Sequence, residues 1–442
     1  MKLKIEKMGI NGEGIGYHES KPVFIEGAFP SEVVEVELKE NMKSYFRGKL
    51  VKIETPSKFR VPSKLALYRG HSYALIDMAM EEQLRQKREL VCQALNKYAR
   101  IPSSMVEDTI ENPQPLGYRN QLKMPIDKIN SKLVSGMYLP NSNHFIPVEY
   151  DPIHEAVLDE KRLEIMEVLN HYDFPPYNKK NRKGIRTLVL RHLDGGFQCT
   201  IVTGRDHLPN AMVNELYALK DMKCVAHSVN TNTGPDVFGK ELRVLKGDIK
   251  LTVPVYNMQL QVSCRSFFQL NTVQAGRLYE LVHDLLADDR YKLIVEAYSG
   301  VGGLGLSVRD LAKEVIGIES ISSAVKNANE NAKLNNADHV KFVLGDAGTE
   351  MQRLVKAKKR IDVVIVDPPR IGLSEEFLES LLISAPKKIV YVSCNPSTLG
   401  KDLDILKQFY EVKRVIPFDM FSQTAHVETI IMMAKCGSEG KK

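Results

Sequence analysis

The chain has 442 residues, 43% hydrophobic and 26% charged, which is ordinary for a globular protein and long enough for two to four domains. No apolar run approaches the roughly 20 residues that span a bilayer, and the amino terminus lacks the apolar core of a signal peptide, so we expect a cytoplasmic protein that does not engage a membrane. Lys and Arg exceed Asp and Glu by 61 to 55, an excess that permits nucleic-acid binding without requiring it.

Residues 1–58 carry the pattern of a small β-barrel. Val33 to Leu38 alternate apolar and acidic side chains as a half-buried strand does, and a second short strand is predicted at 49–53. The glycine-rich stretch 11–16 is typical of a turn. Short strands with glycine turns indicate a closed barrel of the oligonucleotide-binding kind, so we expect this unit to bind RNA; the alternative is a structural module without a ligand.

Residues 59–262 form a second, α+β region that we also expect to bind RNA. Apolar side chains at helical spacing predict a helix near 79–98, which we expect to pack on the carboxyl-terminal domain of residues 263–442. Residues 178–192 hold six Lys or Arg and no acid. Such a run is usually a solvated loop, but beside a second RNA-binding module it favours phosphate contacts. The candidate contacts are Lys179, Lys180, Arg182 and Lys183.

From residue 263 to 442 apolar strands alternate with helical segments. The predicted strands are residues 293–295, 315–318, 340–343, 363–366 and 389–392. Continuous Val and Ile runs of this kind indicate a mostly parallel, doubly wound α/β sheet covered on both faces. Ligands bind such sheets at the carboxyl ends of the strands.

The first of these strands runs into a glycine loop, Tyr298 to Gly305, where the backbone can approach a ligand closely. The second strand ends in Glu319, which can accept hydrogen bonds from ribose hydroxyls, and the third is followed by Asp346, which can hold an adenine amino group. This spacing fits NAD as well as S-adenosylmethionine. The sequence Asp367-Pro368-Pro369-Arg370 after the fourth strand favours a base methyltransferase over a dehydrogenase.

Cys394 follows the fifth strand and Glu428 begins the last apolar strand. Carbon 5 of uracil is a poor nucleophile, but a thiolate that adds to carbon 6 makes it reactive toward a sulfonium methyl group. A base must then remove the carbon-5 proton. We therefore expect Cys394 to be the nucleophile and Glu428 the base, and we treat His426 as structural.

The motifs of the last 180 residues resemble those of the bacterial RNA uracil-5-methyltransferase family. The matching stretches are Ser266-Phe267-Phe268-Gln269-Leu270-Asn271, the glycine loop, Asp367 to Arg370, Tyr391 to Pro396 and His426-Val427-Glu428. The resemblance implies that the amino-terminal barrel is a TRAM domain and that Phe268 stacks near the target base. It also implies S-adenosylmethionine as the cofactor, held by Gln269, Tyr298, Gly300, Glu319, Asp346 and Asp367.

One departure bears on the substrate. Ribosomal-RNA members often bind an iron–sulfur cluster through three cysteines ahead of the helix at 79–98 and a fourth further on, whereas this chain has none near residues 62–73 or 151–152. We therefore expect no cluster and no metal. The chain resembles the cluster-free, Gram-positive type that modifies 23S ribosomal RNA, and no obligatory protein partner is inferred.

The alternatives are a transfer-RNA uracil-5-methyltransferase, a cytosine-5 methyltransferase, a non-catalytic RNA-binding protein and a dinucleotide oxidoreductase. The barrel and the long central region favour ribosomal RNA over transfer RNA. Intact Cys394 and Glu428 argue against a non-catalytic protein, and the cysteine motif argues against an oxidoreductase.

Overall fold

The computed structural model describes residues 1–61, 73–139, 142, 144–234 and 236–437. Within these residues the strands form a six-stranded sheet, two seven-stranded sheets and one hairpin. No helix in this part of the chain is long and apolar enough to cross a membrane.

The amino-terminal sheet has the strand order β1-β5-β6-β4-β3-β2. Its strands are β1 Lys2–Lys4, β2 Lys7–Met8, β3 Gly14–His18, β4 Lys21–Ile25, β5 Val33–Asn41 and β6 Phe46–Thr55. The predicted alternation is confirmed, because Val34 and Val36 are buried with Val23 and Ile25 in the core of this sheet. The outer strands β1 and β2 are consecutive in the chain, so the sheet curls into a barrel.

Helix α1, Met80–Ala99, leaves the barrel and lies against the carboxyl-terminal sheet. Val91 and Leu95 are buried in the same apolar cluster as Val295 and Leu403 of that sheet and its helices, which confirms the predicted helix and its expected packing. A 3₁₀ turn, Ser103–Met105, follows.

The central region is built on a seven-stranded sheet of order β13-β12-β11-β10-β7-β8-β9. Its elements are β7 Gln121–Ile129, β8 Lys132–Tyr138, β9 Phe145–Pro147, α2 Ala156–His171, β10 Ile185–Leu193, β11 Gly196–Thr203, α3 Asn210–Ala218, β12 Met222–Val229 and β13 Arg243–Gly247. Buried side chains of α2 and α3 pack with those of the sheet in one cluster.

The carboxyl-terminal sheet has the order β18-β17-β16-β19-β20-β22-β21, parallel from β18 to β20 and antiparallel at β20–β22 and β22–β21. Each of the five predicted strands falls inside an observed one. The elements are β14 Lys250–Val255, β15 Met258–Ser263, α4 Thr272–Asp284, β16 Tyr291–Ala297, α5 Gly303–Ser307, a 3₁₀ turn Arg309–Leu311, β17 Ala312–Glu319, α6 Ser322–Leu334, β18 Val340–Leu344, α7 Ala347–Lys356, β19 Val363–Val366, α8 Glu375–Ser384, β20 Lys388–Ser393, α9 Pro396–Leu406, β21 Tyr410–Phe418 and β22 Glu428–Lys435.

The hairpin of β14 and β15 packs with this last unit. Leu251, Val253 and Leu260 are buried in one cluster with Leu278 of α4 and Ile294 of β16. The sequence pattern placed the start of this unit at residue 263. In the structure the unit also includes the hairpin that precedes this residue.

Candidate active site

The glycine loop after β16 adopts backbone conformations that other residues resist. Gly300 and Gly302 have φ angles of +54° and +88°, and a Cβ at Gly302 would lie 2.5 Å from the ring of Phe342. The Gly300 amide donates to Glu319 Oε2 at 2.9 Å. The loop is thus tied to the end of β17, with room at Gly300, where a Cβ would meet no atom within 4 Å.

Three predicted cofactor residues lie at the carboxyl ends of neighbouring strands. Glu319 ends β17, and its other oxygen accepts the Ile321 amide at 2.8 Å. Asp346 follows β18, is exposed, and accepts the Thr349 amide at 3.1 Å as the N-cap of α7. Tyr298 follows β16; burial, then the charge of Asp346, raises its pKa to about 12. These residues form one edge, as the parallel topology predicts.

A cavity opens beside this edge. Its lining includes four of the predicted contacts together with Phe268, Glu296 and Ser299; these four are Gln269, Tyr298, Gly300 and Asp367. The predicted contacts Glu319 and Asp346 lie outside this lining, on the neighbouring strands.

Glu296 and Ser299 were missed in the sequence. Glu296 Oε2 and Ser299 Oγ are buried and no group in the structure donates a well-aligned hydrogen bond to them. Burial raises the pKa of Glu296 well above its ordinary value, although the nearby backbone amides of Gly305 and Leu304 oppose this. A buried acceptor without a partner is costly unless a ligand satisfies it. The ammonium group of S-adenosylmethionine fits this need, so the residues present fit that cofactor. The available signal in the sequence was one acid inside the otherwise apolar run of residues 293–297.

The strand register brings Cys394 and Glu428 together. Strands β20 and β22 are antiparallel, and their last pair is Ser393 with Thr429. Cys394 directly follows β20 and Glu428 is the first residue of β22, so both lie at this end of the sheet, and the charge of Glu428 contributes to the pKa of the Cys394 thiol. Cys394 is half-buried and lies just before Asn395, the N-cap of α9.

The site raises the pKa of each of its acidic groups. Burial raises the pKa of the Cys394 thiol to about 11, and the charges of Glu428 and Asp367 add to this, whereas Arg370 opposes it. Burial, then Asp367, raises the pKa of Glu428 to about 8, and Arg370 and Lys87 oppose it. Burial alone raises the pKa of Asp367 to about 7.

Arg370 joins the two sides of the site. Its carbonyl accepts hydrogen bonds from Asn395 Nδ2 at 2.9 Å and Thr398 Oγ1 at 3.1 Å, and its Nη2 lies 3.3 Å from His426 Nδ1. Burial, then Arg370, lowers the pKa of His426 to about 4. A neutral imidazole can accept from the guanidinium, so His426 holds Arg370, in keeping with a structural part.

The substrate residues are placed less favourably. Phe268 is 3% exposed and lies in the apolar core, whereas the neighbouring Phe267 is 67% exposed and also lines the cavity. A base has little of the Phe268 ring to stack on. The exposed ring at this point is Phe267, which makes it the better candidate for contact with a base.

The four basic candidates Lys179, Lys180, Arg182 and Lys183 are all exposed, in the loop just before β10. The other end of β10 adjoins the methyltransferase unit, where the His192 amide donates to the Asn120 carbonyl and Asn120 donates to the Gln269 carbonyl. The basic loop therefore lies on the order of 25 Å along the strand from that end, at roughly 3.3 Å per residue. An RNA that contacts both places must span at least this length.

The structure describes only part of the segment where cluster-binding members of the family carry cysteines. Pro62, Ser63, Lys64, Gly70 and His71 lie outside the described residues. Tyr73 is buried, and burial, then the charge of Asp151, raises its pKa. Among the described residues no group of three or more His, Cys, Asp or Glu side chains is arranged to hold a metal ion.

Known proteins account for almost the whole chain. The tRNA (uracil-5-)-methyltransferase family profile matches residues 81–436, and the TRAM domain profile matches residues 1–51. Proteins described as uncharacterized RNA methyltransferases from Enterococcus faecalis and Listeria innocua are 32% and 35% identical, each match covering 98% of this chain and 97% of the relative. The structure of Pyrococcus abyssi tRNA (uracil-54, C5)-methyltransferase in complex with S-adenosyl-L-homocysteine matches 98% of this chain and 100% of that one, with a TM-score of 0.79 and 24% identity.

Proposed function

The chain belongs to the tRNA (uracil-5-)-methyltransferase family, and from this premise we propose that Cys394 and Glu428 carry out the chemistry and that the substrate is 23S ribosomal RNA. The broader activity follows from the family: the protein is an S-adenosylmethionine-dependent enzyme that methylates carbon 5 of uracil in RNA. The observation that supports the assignment of the two residues is that both lie at the same end of β20 and β22, where the charge of Glu428 raises the pKa of Cys394.

The reaction proceeds in two stages at these residues. The Cys394 thiolate adds to carbon 6 of the uracil ring, and the electron pair released into the ring makes carbon 5 nucleophilic. S-adenosylmethionine supplies the methyl group and a positive charge beside the ring. Glu428 then removes the proton from carbon 5, the carbon–sulfur bond breaks, and Cys394 leaves as thiolate.

The electrostatics of the site suit this division of roles. A base works best when its pKa lies near the operating pH, and that of Glu428 is about 8. Cys394 is held as a thiol by burial and by two carboxyl groups. A cationic cofactor close to the thiol favours its ionisation, so the nucleophile is formed mainly when the cofactor is bound.

Support for 23S ribosomal RNA comes from the resemblance to the cluster-free type. The barrel does not separate the two RNA classes, because the Pyrococcus abyssi protein, described as a transfer-RNA enzyme, aligns over 98% of this chain. That alignment and the family description make transfer RNA the second candidate.

The test uses RNA in which uridine is replaced by 5-fluorouridine. Fluorine cannot leave as a cation, so the elimination stage fails and the protein remains covalently bound to the RNA. We expect a stable adduct with 23S ribosomal RNA fragments, none with Cys394→Ala, and an unchanged adduct with the control Cys436→Ala, which alters an exposed cysteine. An adduct that survives Cys394→Ala refutes the nucleophile, and methylation of transfer RNA in place of ribosomal RNA refutes the substrate.

A further inference from the structure

Lys87 is a buried cation close enough to Glu428 to affect its pKa, and it has no part in the two stages described above. Lys87 on α1 and Asp419, the first residue after β21, form an ion pair in which both side chains are 0% exposed. The Lys87 ammonium also donates to the Phe421 carbonyl at 2.9 Å. A buried ion pair costs both ions their hydration, so its presence is weak evidence that it stabilises the fold. A role in holding neighbouring residues in position explains it better.

The pair holds the loop that leads to the proposed base. Residues 419–427 join β21 to β22, and Glu428 is the first residue of β22. The second oxygen of Asp419 accepts the Ser422 hydroxyl at 2.6 Å, and Gln274 Nε2 donates to the Asp419 carbonyl at 2.8 Å. Tyr118 Oη donates to the Ser422 carbonyl at 2.9 Å. The start of the loop is thus fixed from several elements at once.

A second residue of helix α1 forms hydrogen bonds to the same loop. Gln83 lies one turn before Lys87, on the same helix face. Its Oε1 accepts the Gln423 amide at 3.0 Å, and its Nε2 donates to Gln423 Oε1 at 2.8 Å. Helix α1 is itself packed on the carboxyl-terminal sheet. The contacts of Lys87 and Gln83 therefore fix the position of the loop relative to the sheet that leads to Cys394.

The charge of Lys87 also reaches Glu428. Burial lowers the pKa of Lys87 below its ordinary value, although the charges of Asp419 and then Glu428 oppose this. Lys87 in turn favours the ionised form of Glu428. The other groups with charge at Glu428 are Asp367 and Arg370, from the loop after β19. Lys87 is the contribution of α1 to this set.

We propose that Lys87 and Asp419 are a positioning pair: through the loop of residues 419–427 they hold Glu428 opposite Cys394, and the ammonium favours the carboxylate that must accept the carbon-5 proton. The inference rests on the proposed function of Glu428. It gives α1, which is separated from β22 in the chain by the whole central region, a part in the second stage of the reaction.

Lys87→Met separates the two stages, because it removes the charge and keeps most of the volume. Formation of the adduct with 5-fluorouridine RNA does not need the base, so we expect its rate to stay within about twofold of the unaltered enzyme. Turnover on ordinary RNA should fall at least roughly tenfold, within the roughly 10²–10⁴-fold that a general base contributes. The covalent intermediate should accumulate, and the rising limb of the pH–rate profile should move to higher pH.

The control is Arg162→Met. Arg162 is 1% exposed and pairs with Asp159 at 2.9 Å in the central region, so this variant removes a buried cation without touching the loop of residues 419–427. It should leave the ratio of turnover to adduct formation unchanged. If Lys87→Met does not fold, Gln83→Ala provides the same two readouts with a smaller loss and no change of charge.

Two results overturn the proposal: normal turnover by the variant, or adduct formation that falls in parallel with turnover, which marks a general structural defect. Failure of the unaltered enzyme to form any adduct with 5-fluorouridine RNA instead refutes the proposed function, so the two failures are distinguishable.

Discussion

The two seven-stranded sheets of this protein distribute their functional residues in different ways. In the carboxyl-terminal sheet the strands from β18 to β20 are parallel, so the chain returns to one edge after every helix. Tyr298, Glu319, Asp346, Asp367 and Cys394 end or follow successive strands at that edge. In the central sheet most neighbours are antiparallel, so consecutive turns lie at opposite edges. Spacing along the sequence therefore locates a site in the carboxyl-terminal sheet and not in the central sheet.

The basic run of residues 178–192 shows the consequence. Lys183 lies in the exposed loop before β10, whereas Arg191 near the other end of the strand is buried and donates to the Ser263 carbonyl at 2.7 Å and the Ser266 carbonyl at 2.8 Å. Arg191 thus supports the segment that leads to Gln269 and does not face RNA. One run of like charges contains two kinds of residue because a strand separates its ends.

The largest expected effect is at the edge of the parallel sheet. Glu428→Gln should lower turnover by roughly 10²–10⁴-fold, since it removes the general base, while the covalent intermediate accumulates on ordinary RNA. Denaturing gels with labelled RNA measure the adduct. Glu411→Gln, an exposed carboxylate on the adjacent β21, is the matched control and should turn over normally. Normal turnover by Glu428→Gln would remove this residue from the chemistry.

The second effect concerns the cavity that the sequence did not reveal in full. Glu296→Gln should weaken S-adenosylmethionine binding by roughly 10- to 100-fold, the value of a hydrogen bond to a charged group. Burial raises the pKa of Glu296, so binding of an ammonium group should release its proton, and the calorimetric enthalpy should depend on the buffer.

This dependence on the buffer should vanish in Glu296→Gln. Glu314→Gln on the neighbouring β17 is the control and should retain it. Unchanged affinity in Glu296→Gln would show that the unpartnered carboxyl oxygen does not meet the cofactor.

The sequence predicted the strands and the glycine loop, because each depends on local pattern, and it led us to expect Cys394 and Glu428 near one cleft from the rule that ligands bind at the carboxyl edge of parallel strands. It could not predict Lys87 and Asp419, whose pairing joins residues 332 positions apart. Nor could it tell Phe267 from Phe268, because neighbouring residues in an irregular segment have no periodicity that assigns one to the core.

A smaller effect is expected at the antiparallel sheet. Replacing Lys179, Lys180, Arg182 and Lys183 by Ala should raise the KM for RNA by roughly tenfold at low salt and reduce the slope of log affinity against log salt by about 3, with kcat unchanged. The control replaces four exposed charges at the end of α7 and just after it, residues 356 and 358–360, which precede β19 at the opposite edge of its sheet. Equal effects of the two sets would show that the basic loop acts only through net charge.

The smallest effect is on stability, because the burial of Glu428 lowers the free energy of unfolding. Burial raises the pKa of Glu428 from 4.5 to about 8, so the folded protein keeps a proton that the unfolded chain releases above pH 4.5. Glu428 therefore lowers the stability of the cofactor-free protein progressively between pH 4.5 and 8, and the penalty is complete above pH 8. Glu428→Gln mimics the protonated form, so its Tm should exceed that of the unaltered protein by roughly 2–4 °C at pH 8.5 and by much less at pH 5, as measured by thermal denaturation. Glu411→Gln should show no such difference between the two pH values, and a constant or reversed difference in Glu428→Gln would mean that this carboxyl group is already ionised in the folded protein at neutral pH.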